Sequence, residues 1–170
     1  QSTQKENHFI HAGDLIVRNS TSSAVVIHGV KKEESPIFTT MWTLLGYPFT
    51  TVATPVWIAG GSNLPEILTG GEEEPGEASL CEWALTLKKK AYPIHRGSGY
   101  KYLNINTLYN KNQQGITQKL IPVENTIFSH TDEMLEEWRT HGMNEKAIHE
   151  YYKWLNNFIS MEYENRFNMK

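Results

Sequence analysis

Arg18 opens the first stretch of the chain whose residue types could do chemistry. It stands at the end of a predicted strand and is followed by a hydroxyl-rich run at positions 19–23. An arginine in this position could hold a substrate carboxylate or carbonyl, because its planar guanidinium presents a fixed fork of donors. The alternative is a solvated surface arginine, which is the commonest environment for this residue type. We predict a catalytic, site-organising role for Arg18.

A second group of candidates combines hydroxyl and aromatic side chains on neighbouring strand and turn positions. Thr21, Ser22 and Thr40 supply hydroxyls, and Trp42 and Trp57 supply large aromatic faces. Side chains of these types at strand ends can line a small pocket. The alternative is structural, with threonines favoured in strands and tryptophans packed in the core. Substrate binding is the prediction for all five residues.

The remaining reactive side chains form incomplete patterns. His149 begins a zinc-protease-like spacing, but position 153 is a lysine, so the motif fails. His8 and His11 have no carboxylate at a matching spacing, so we predict no metal site. Cys81 follows an acidic loop, which disfavours a reactive thiolate, and we interpret it as structural. We therefore predict no cofactor.

The composition limits the classes of protein to consider. A length of 170 residues with 39% hydrophobic and 21% charged residues suits one globular domain. A net charge of −3 with scattered basic residues argues against a nucleic-acid partner. Runs of eighteen apolar residues are missing, so we expect no membrane span, and any signal peptide is expected to be gone.

Strands are predicted in the first third of the chain. The apolar and β-branched runs at 9–18, 23–30, 37–45 and 50–59 are separated by polar turns, and the second and third suit a hairpin. Pro55 places the last of them at a sheet edge or a bulge. We expect residues 1–7 to be disordered, 8–60 to be mainly β, and 61–122 to be mixed. A helix is predicted over 78–91, whereas 94–122 is irregular, with 102–108 either helix or strand.

Residues 123–170 are predicted to be helical. Ser129 or Thr131 is expected to cap a helix that ends near Arg139, and Asn144 is expected to cap a longer one. The longer helix carries an apolar face at Ile148, Tyr151, Tyr152, Leu155, Phe158, Ile159 and Tyr163. Strands followed by helices indicate an α+β fold, with antiparallel sheet covered by helices in a single domain over 1–170.

The first third of the chain also resembles a known family. The run from Arg18 through the hydroxyl residues into a strand, then TTMWTLLGYP and the later Pro-Val-Trp, resembles the N-terminal nucleophile hydrolases. Within them it is most similar to the penicillin acyltransferase and choloylglycine hydrolase group. The resemblance implies an αββα sandwich, cleavage of a small linear amide by an N-terminal cysteine, and a periplasmic or secreted location. It matches Arg18 to an arginine that organises the site.

The chain departs from that family at its first residue. Gln1 offers no attacking group, and Cys81 is internal and cannot use its own α-amino group as base. We therefore expect a carboxy-terminal fragment of an amide hydrolase or acyltransferase, inactive alone, whose nucleophile lies upstream. Whether the chain is an enzyme stays open. This hypothesis expects an open apolar sheet face that an upstream segment or another copy of the chain covers.

Two other hypotheses remain. The chain could be a non-catalytic ligand- or glycan-binding module of a secreted protein, with Trp42, Trp57, Tyr47 and Tyr100 as exposed stacking platforms. It could also be an interaction or structural domain, which expects an exposed apolar stripe between Ile148 and Tyr163. Exposure of Trp57, as opposed to its burial under an added strand, would separate the first hypothesis from the binding module.

Overall fold

The fold is α+β, as the sequence predicts. A computed structural model of the chain describes residues 8–70 and 77–169, and the expected disorder of residues 1–7 lies outside that part. Two antiparallel sheets, of two and three strands, are packed against helices. The strands are β1 (Phe9–His11), β2 (Ser23–His28), β3 (Thr40–Leu45), β4 (Thr54–Val56) and β5 (Tyr102–Asn104). The α-helices are α1 (Glu66–Thr69), α2 (Ser79–Ala91), α3 (Ile105–Leu108), α4 (Ile116–His141) and α5 (Glu145–Phe167).

The larger sheet has the order β2-β3-β4 and begins with the predicted hairpin. Val26 of β2 lies opposite Trp42 of β3, which lies opposite Pro55 of β4. Pro55 therefore stands on an edge strand, as predicted, because proline has no N–H to offer a further neighbour. Only three residues of the predicted run at 50–59 pair as a strand.

The smaller sheet joins two segments that are distant in the sequence. β1 pairs with β5, with Ile10 opposite Leu103. The predicted strand at 9–18 is too long, because the chain leaves β1 in a short 3-10 turn at Ala12–Asp14. Residues 102–108 contain both predicted alternatives in succession, since β5 runs directly into α3.

The start of α4 corrects the prediction most clearly. The helix begins at Ile116, inside the region expected to be irregular, and Gly115 N donates to Gln118 Oε1 at 3.1 Å. The predicted cap at Ser129 or Thr131 is wrong. Thr131 is buried in mid-helix, where its hydroxyl lies 2.7 Å from Ile127 O and 2.6 Å from the Tyr151 hydroxyl. A threonine whose hydroxyl bonds the preceding turn is compatible with a helix interior.

Helix α5 matches its prediction and tests one expectation of the interaction-domain hypothesis. Asn144 Oδ1 accepts a hydrogen bond from Ala147 N at 3.0 Å, which is the expected N-cap. The apolar face is buried in the core at Ile148, Tyr151, Tyr152, Leu155, Ile159 and Tyr163. The prediction of an exposed apolar stripe along this helix, which the interaction-domain hypothesis makes, is therefore wrong.

A close approach between the sheet and α2 depends on a glycine. Gly46 directly follows β3 with φ +85°, and a Cβ there would lie 2.6 Å from the Cβ of Ala84. Thr50 donates from Oγ1 to Ala84 O at 2.7 Å, which satisfies a buried hydroxyl at the same junction. Because any larger residue at 46 would force the two elements apart, the glycine sets this packing distance.

We predict that the free energy of unfolding falls steeply above pH 10. Burial raises the pKa of Tyr152 to about 12, and burial also raises the pKa of Tyr47, Tyr151 and Tyr163. The folded state therefore holds these phenols neutral, whereas the unfolded chain ionises near pH 10, so their contribution is intact below pH 10 and lost above it. Each should cost about 1.4 kcal/mol per pH unit in that window.

Urea denaturation at pH 9 and pH 11 would measure this loss. Tyr163→Phe removes one of the four groups, so its loss between the two pH values should be smaller by about 1.4 kcal/mol. Equal unfolding free energies at pH 9 and pH 11 in the wild-type protein would contradict the prediction.

Candidate functional site

Arg18 lies in a turn that leads into β2, and it lines a surface cavity of about 390 Å³. Its backbone N–H donates to Thr21 Oγ1 at 3.0 Å, and Thr21 N donates to Arg18 O at 3.0 Å. These two bonds close the turn, so Thr21 positions the backbone that carries Arg18. The cavity is lined by His11, Ala12, Gly13, Arg18, Asn19, Ser20, Tyr100 and Lys101.

A second cavity adjoins the first. It has a volume of about 410 Å³ and shares Asn19 and Tyr100 with its neighbour. Its lining consists of Asn19, Leu85, Lys88, Lys89, Tyr92, Ile94, His95, Gly97 and Tyr100. We call the two cavities together the basic cleft.

The basic cleft is lined by charges of one sign. Four lysine and arginine side chains and two histidines contribute to it, and none of the lining residues that the structure describes is Asp or Glu. The chain as a whole has a net charge of −3, so the charge of this lining is opposite in sign to that of the whole chain. A concave site with charges of one sign concentrates ligands of the opposite sign. The basic cleft is therefore suited to an anion.

Lys88 connects α2 to the turn that contains Arg18. Its Nζ donates to Asn19 O at 2.5 Å and lies 5.5 Å from the centre of the Tyr47 ring. Burial lowers the pKa of Lys88, because leaving water penalises the charged ammonium. A bound anion would offset that penalty, because its negative charge would stabilise the charged ammonium of Lys88.

The two chain segments on either side of the basic cleft are tied together directly. Asn19 Nδ2 donates to Tyr100 O. The β1–β5 pairing brings His11 beside Tyr102, with ring centres 5.5 Å apart. Tyr100, which lines both cavities, is 55% exposed, and Lys101 Nζ lies 5.8 Å from the centre of its ring.

Trp42 lines a different cavity, a groove of about 510 Å³ between the larger sheet and α4. Its ring meets Phe128 edge to face at 4.8 Å. Glu124 Oε1 accepts a hydrogen bond from Ala53 N at 2.8 Å, and Asp132 adds a second carboxylate to the lining. We call this cavity the acidic groove. It shares no lining residue with the basic cleft.

Thr40 and Trp57 meet in the core. Trp57 is 1% exposed, and its Nε1–H donates to Thr40 Oγ1 at 2.9 Å. Trp57 is covered by side chains of α4 and α5, such as Trp138 and Tyr152. It is therefore neither the exposed stacking platform that the binding-module hypothesis predicts nor buried under an added strand. These contacts give both residues a structural role. Ser22 contributes its carbonyl, which accepts from Gly46 N at 2.8 Å beside the β2–β3 hairpin.

The six predicted site residues thus fall into four places, with Ser22 beside the β2–β3 hairpin. Arg18 and Thr21 belong to the basic cleft and its turn, Thr40 and Trp57 to the core, and Trp42 to the acidic groove. Sequence reasoning missed Lys88 and Lys101. The lysine run at 88–90 is visible in the sequence, but its position also suits the end of a helix.

Comparisons with known proteins do not assign a function to the site. No family model, curated protein or solved structure matches the chain. The resemblance to N-terminal nucleophile hydrolases therefore stays a prediction. Over 8–70 and 77–169, no group of three or more His, Cys, Asp or Glu residues could hold a metal ion. No helix in the same residues is long and apolar enough to span a bilayer.

We predict that Thr40→Val lowers stability and leaves ligand binding intact. Valine keeps the shape of threonine but leaves the buried Trp57 Nε1–H without its acceptor, which should cost about 1–3 kcal/mol. Urea denaturation would measure the cost. Thr140→Val is the matched control on the exposed surface of α4 and should stay within about 0.5 kcal/mol of wild type. Wild-type stability in Thr40→Val would contradict the structural role.

Proposed function

We propose that this chain is a non-catalytic binding module for a small organic anion held in the basic cleft. The main supporting observation is the lining of that cleft, where Arg18, Lys88, Lys89 and Lys101 come together without a carboxylate from residues 8–70 or 77–169. In a chain of net charge −3, such a lining favours an acidic ligand over a neutral or cationic one.

The two cavities of the basic cleft suggest how the ligand lies. Arg18 and Lys101 line one cavity, where a carboxylate or phosphate would meet the guanidinium fork. Leu85, Tyr92 and Ile94 line the other and offer apolar surface to a ring. The ligand class we propose is therefore a planar ring that carries an anionic group, lying against Tyr100.

The amide-hydrolase hypothesis shares Arg18 with this proposal. A small amide substrate with a carboxylate would use the same guanidinium, and the nucleophile would come from an upstream segment. That activity, and a periplasmic or secreted location, remain predictions based on the resemblance alone. The binding module rests on Lys88, Lys89 and Lys101 as well as on Arg18, and we prefer it for that reason.

Benzoate is a suitable probe of the proposal, because it joins a carboxylate to a planar ring. In a titration followed by amide chemical shifts, benzoate should shift resonances of residues 18–20 and 97–101. Arg18→Ala should weaken its binding about tenfold, since a charge-assisted hydrogen bond contributes roughly 1.5 kcal/mol. Added salt should weaken it too, because ions screen exposed charges.

Two controls distinguish binding in the basic cleft from nonspecific electrostatic attraction to the protein. Lys153→Ala removes a positive charge from the exposed face of α5, where Lys153 pairs with Glu150 at 3.8 Å, and should leave benzoate affinity unchanged. Benzylamine has the same ring with a cationic group, so it should shift resonances around Glu124 and Asp132 of the acidic groove instead. Benzoate shifts outside the basic cleft, or equal affinity in Arg18→Ala, would overturn the proposal.

A further inference from the structure

The outer strand β2 is unusual for its exposed apolar residues. Val25, Val26 and Ile27 are 53%, 58% and 69% exposed, and the strand contains neither proline nor a residue of fixed charge. Edge strands are normally protected by charges, prolines, bulges or a covering segment. Within the described part of the chain, β2 has a strand neighbour on one side only. Its other side is therefore available for pairing.

The direction of the free hydrogen-bonding groups follows from the hairpin register. Gly46 N donates to Ser22 O at 2.8 Å, and these two residues continue the β2–β3 register as a directly opposed pair. Hydrogen-bonded and non-hydrogen-bonded pairs alternate along an antiparallel ladder. Every second residue of β2 therefore points its N–H and C=O away from β3, and these are Ser23, Val25 and Ile27.

We propose that β2 pairs antiparallel with β2 of a second copy of this chain, across a two-fold axis at Val25. In this register Val25 lies opposite its own counterpart, and Ser23 lies opposite Ile27 of the second copy. Every outward N–H then meets an outward C=O, and the two three-stranded sheets join into one of six strands. The surface pairs with itself, as a closed two-fold dimer requires.

The side chains of the strand agree with self-pairing. Residues directly opposite each other share a face of the sheet, so Ala24 lies beside Val26 of the second copy, and Val25 lies beside Val25. No like charges meet within the strand, because SAVVIH contains no Lys, Arg, Asp or Glu. In this register, the exposed apolar side chains of β2 therefore lie next to apolar or small side chains of the second copy. The inference is independent of the anion-binding proposal, because no residue of β2 lines the basic cleft.

A charge exchange at position 25 tests the two-fold register. Sedimentation equilibrium of the wild-type chain should give twice the monomer mass of 19.5 kDa. Val25→Lys and Val25→Glu should each be monomeric, because two like charges would lie opposite each other at the axis. An equimolar mixture of the two variants should recover the doubled mass, since lysine then faces glutamate.

The recovery in the mixture excludes misfolding as the cause of the monomeric variants. Ile58→Lys is the matched control, because Ile58 is 90% exposed in a turn outside the strand, and it should remain dimeric. A monomeric wild-type chain up to sub-millimolar concentration would overturn the proposal. So would a dimer that survives Val25→Lys, which would indicate another interface, or a mixture of the two variants that stays monomeric.

Discussion

The burial of Trp57 is the interaction on which most of the tertiary structure depends. Its indole N–H is satisfied by Thr40 at the start of β3, while its ring stacks on Tyr152 of α5 and meets Trp138 of α4. Its backbone N–H also donates to the Tyr152 hydroxyl at 3.1 Å. The sheet and both long helices therefore share one side chain, and a buried polar group in such a cluster is costly to leave unpaired.

Charged residues are arranged in two different ways around this core. One ion pair joins two separate parts of the fold. Glu34, in the turn before β3, accepts from Arg139 of α4 at 2.5 Å, and hydrogen bonds from Lys31 and Arg139 lower the pKa of Glu34. In the basic cleft, by contrast, Arg18 and Lys101 line a cavity to which the described part of the chain contributes no carboxylate. This difference separates a structural ion pair from positive charges that have no acidic neighbour in the described part of the cavity, and the proposed anion site is based on it.

The two edge strands of the larger sheet, β4 and β2, also differ in whether they can pair with a further strand. β4 is fully buried and carries Pro55, which removes a donor from its outer side. β2 keeps its donors and acceptors and exposes Val25 and Ile27. One edge is thus closed by burial and by the sequence itself, whereas the other offers backbone groups and apolar surface together. A sheet with one closed edge grows in a single direction, which favours a limited pair over an open stack.

The sequence alone determined the elements whose signals are local. Apolar, β-branched runs joined by a polar turn predicted the hairpin of β2 and β3. Pro55 predicted an edge or a bulge, and Asn144 with its apolar periodicity predicted α5. The tertiary structure decided what depends on distant partners. Thr131 is a suitable helix cap by type, yet contact with Tyr151 makes it a core residue. Lys101 and Arg18 lie far apart in the chain, and only the β1–β5 pairing and the Asn19–Tyr100 bond place them in one cavity. Local patterns encode backbone conformation, whereas a binding site is defined by distances that only the packed chain sets.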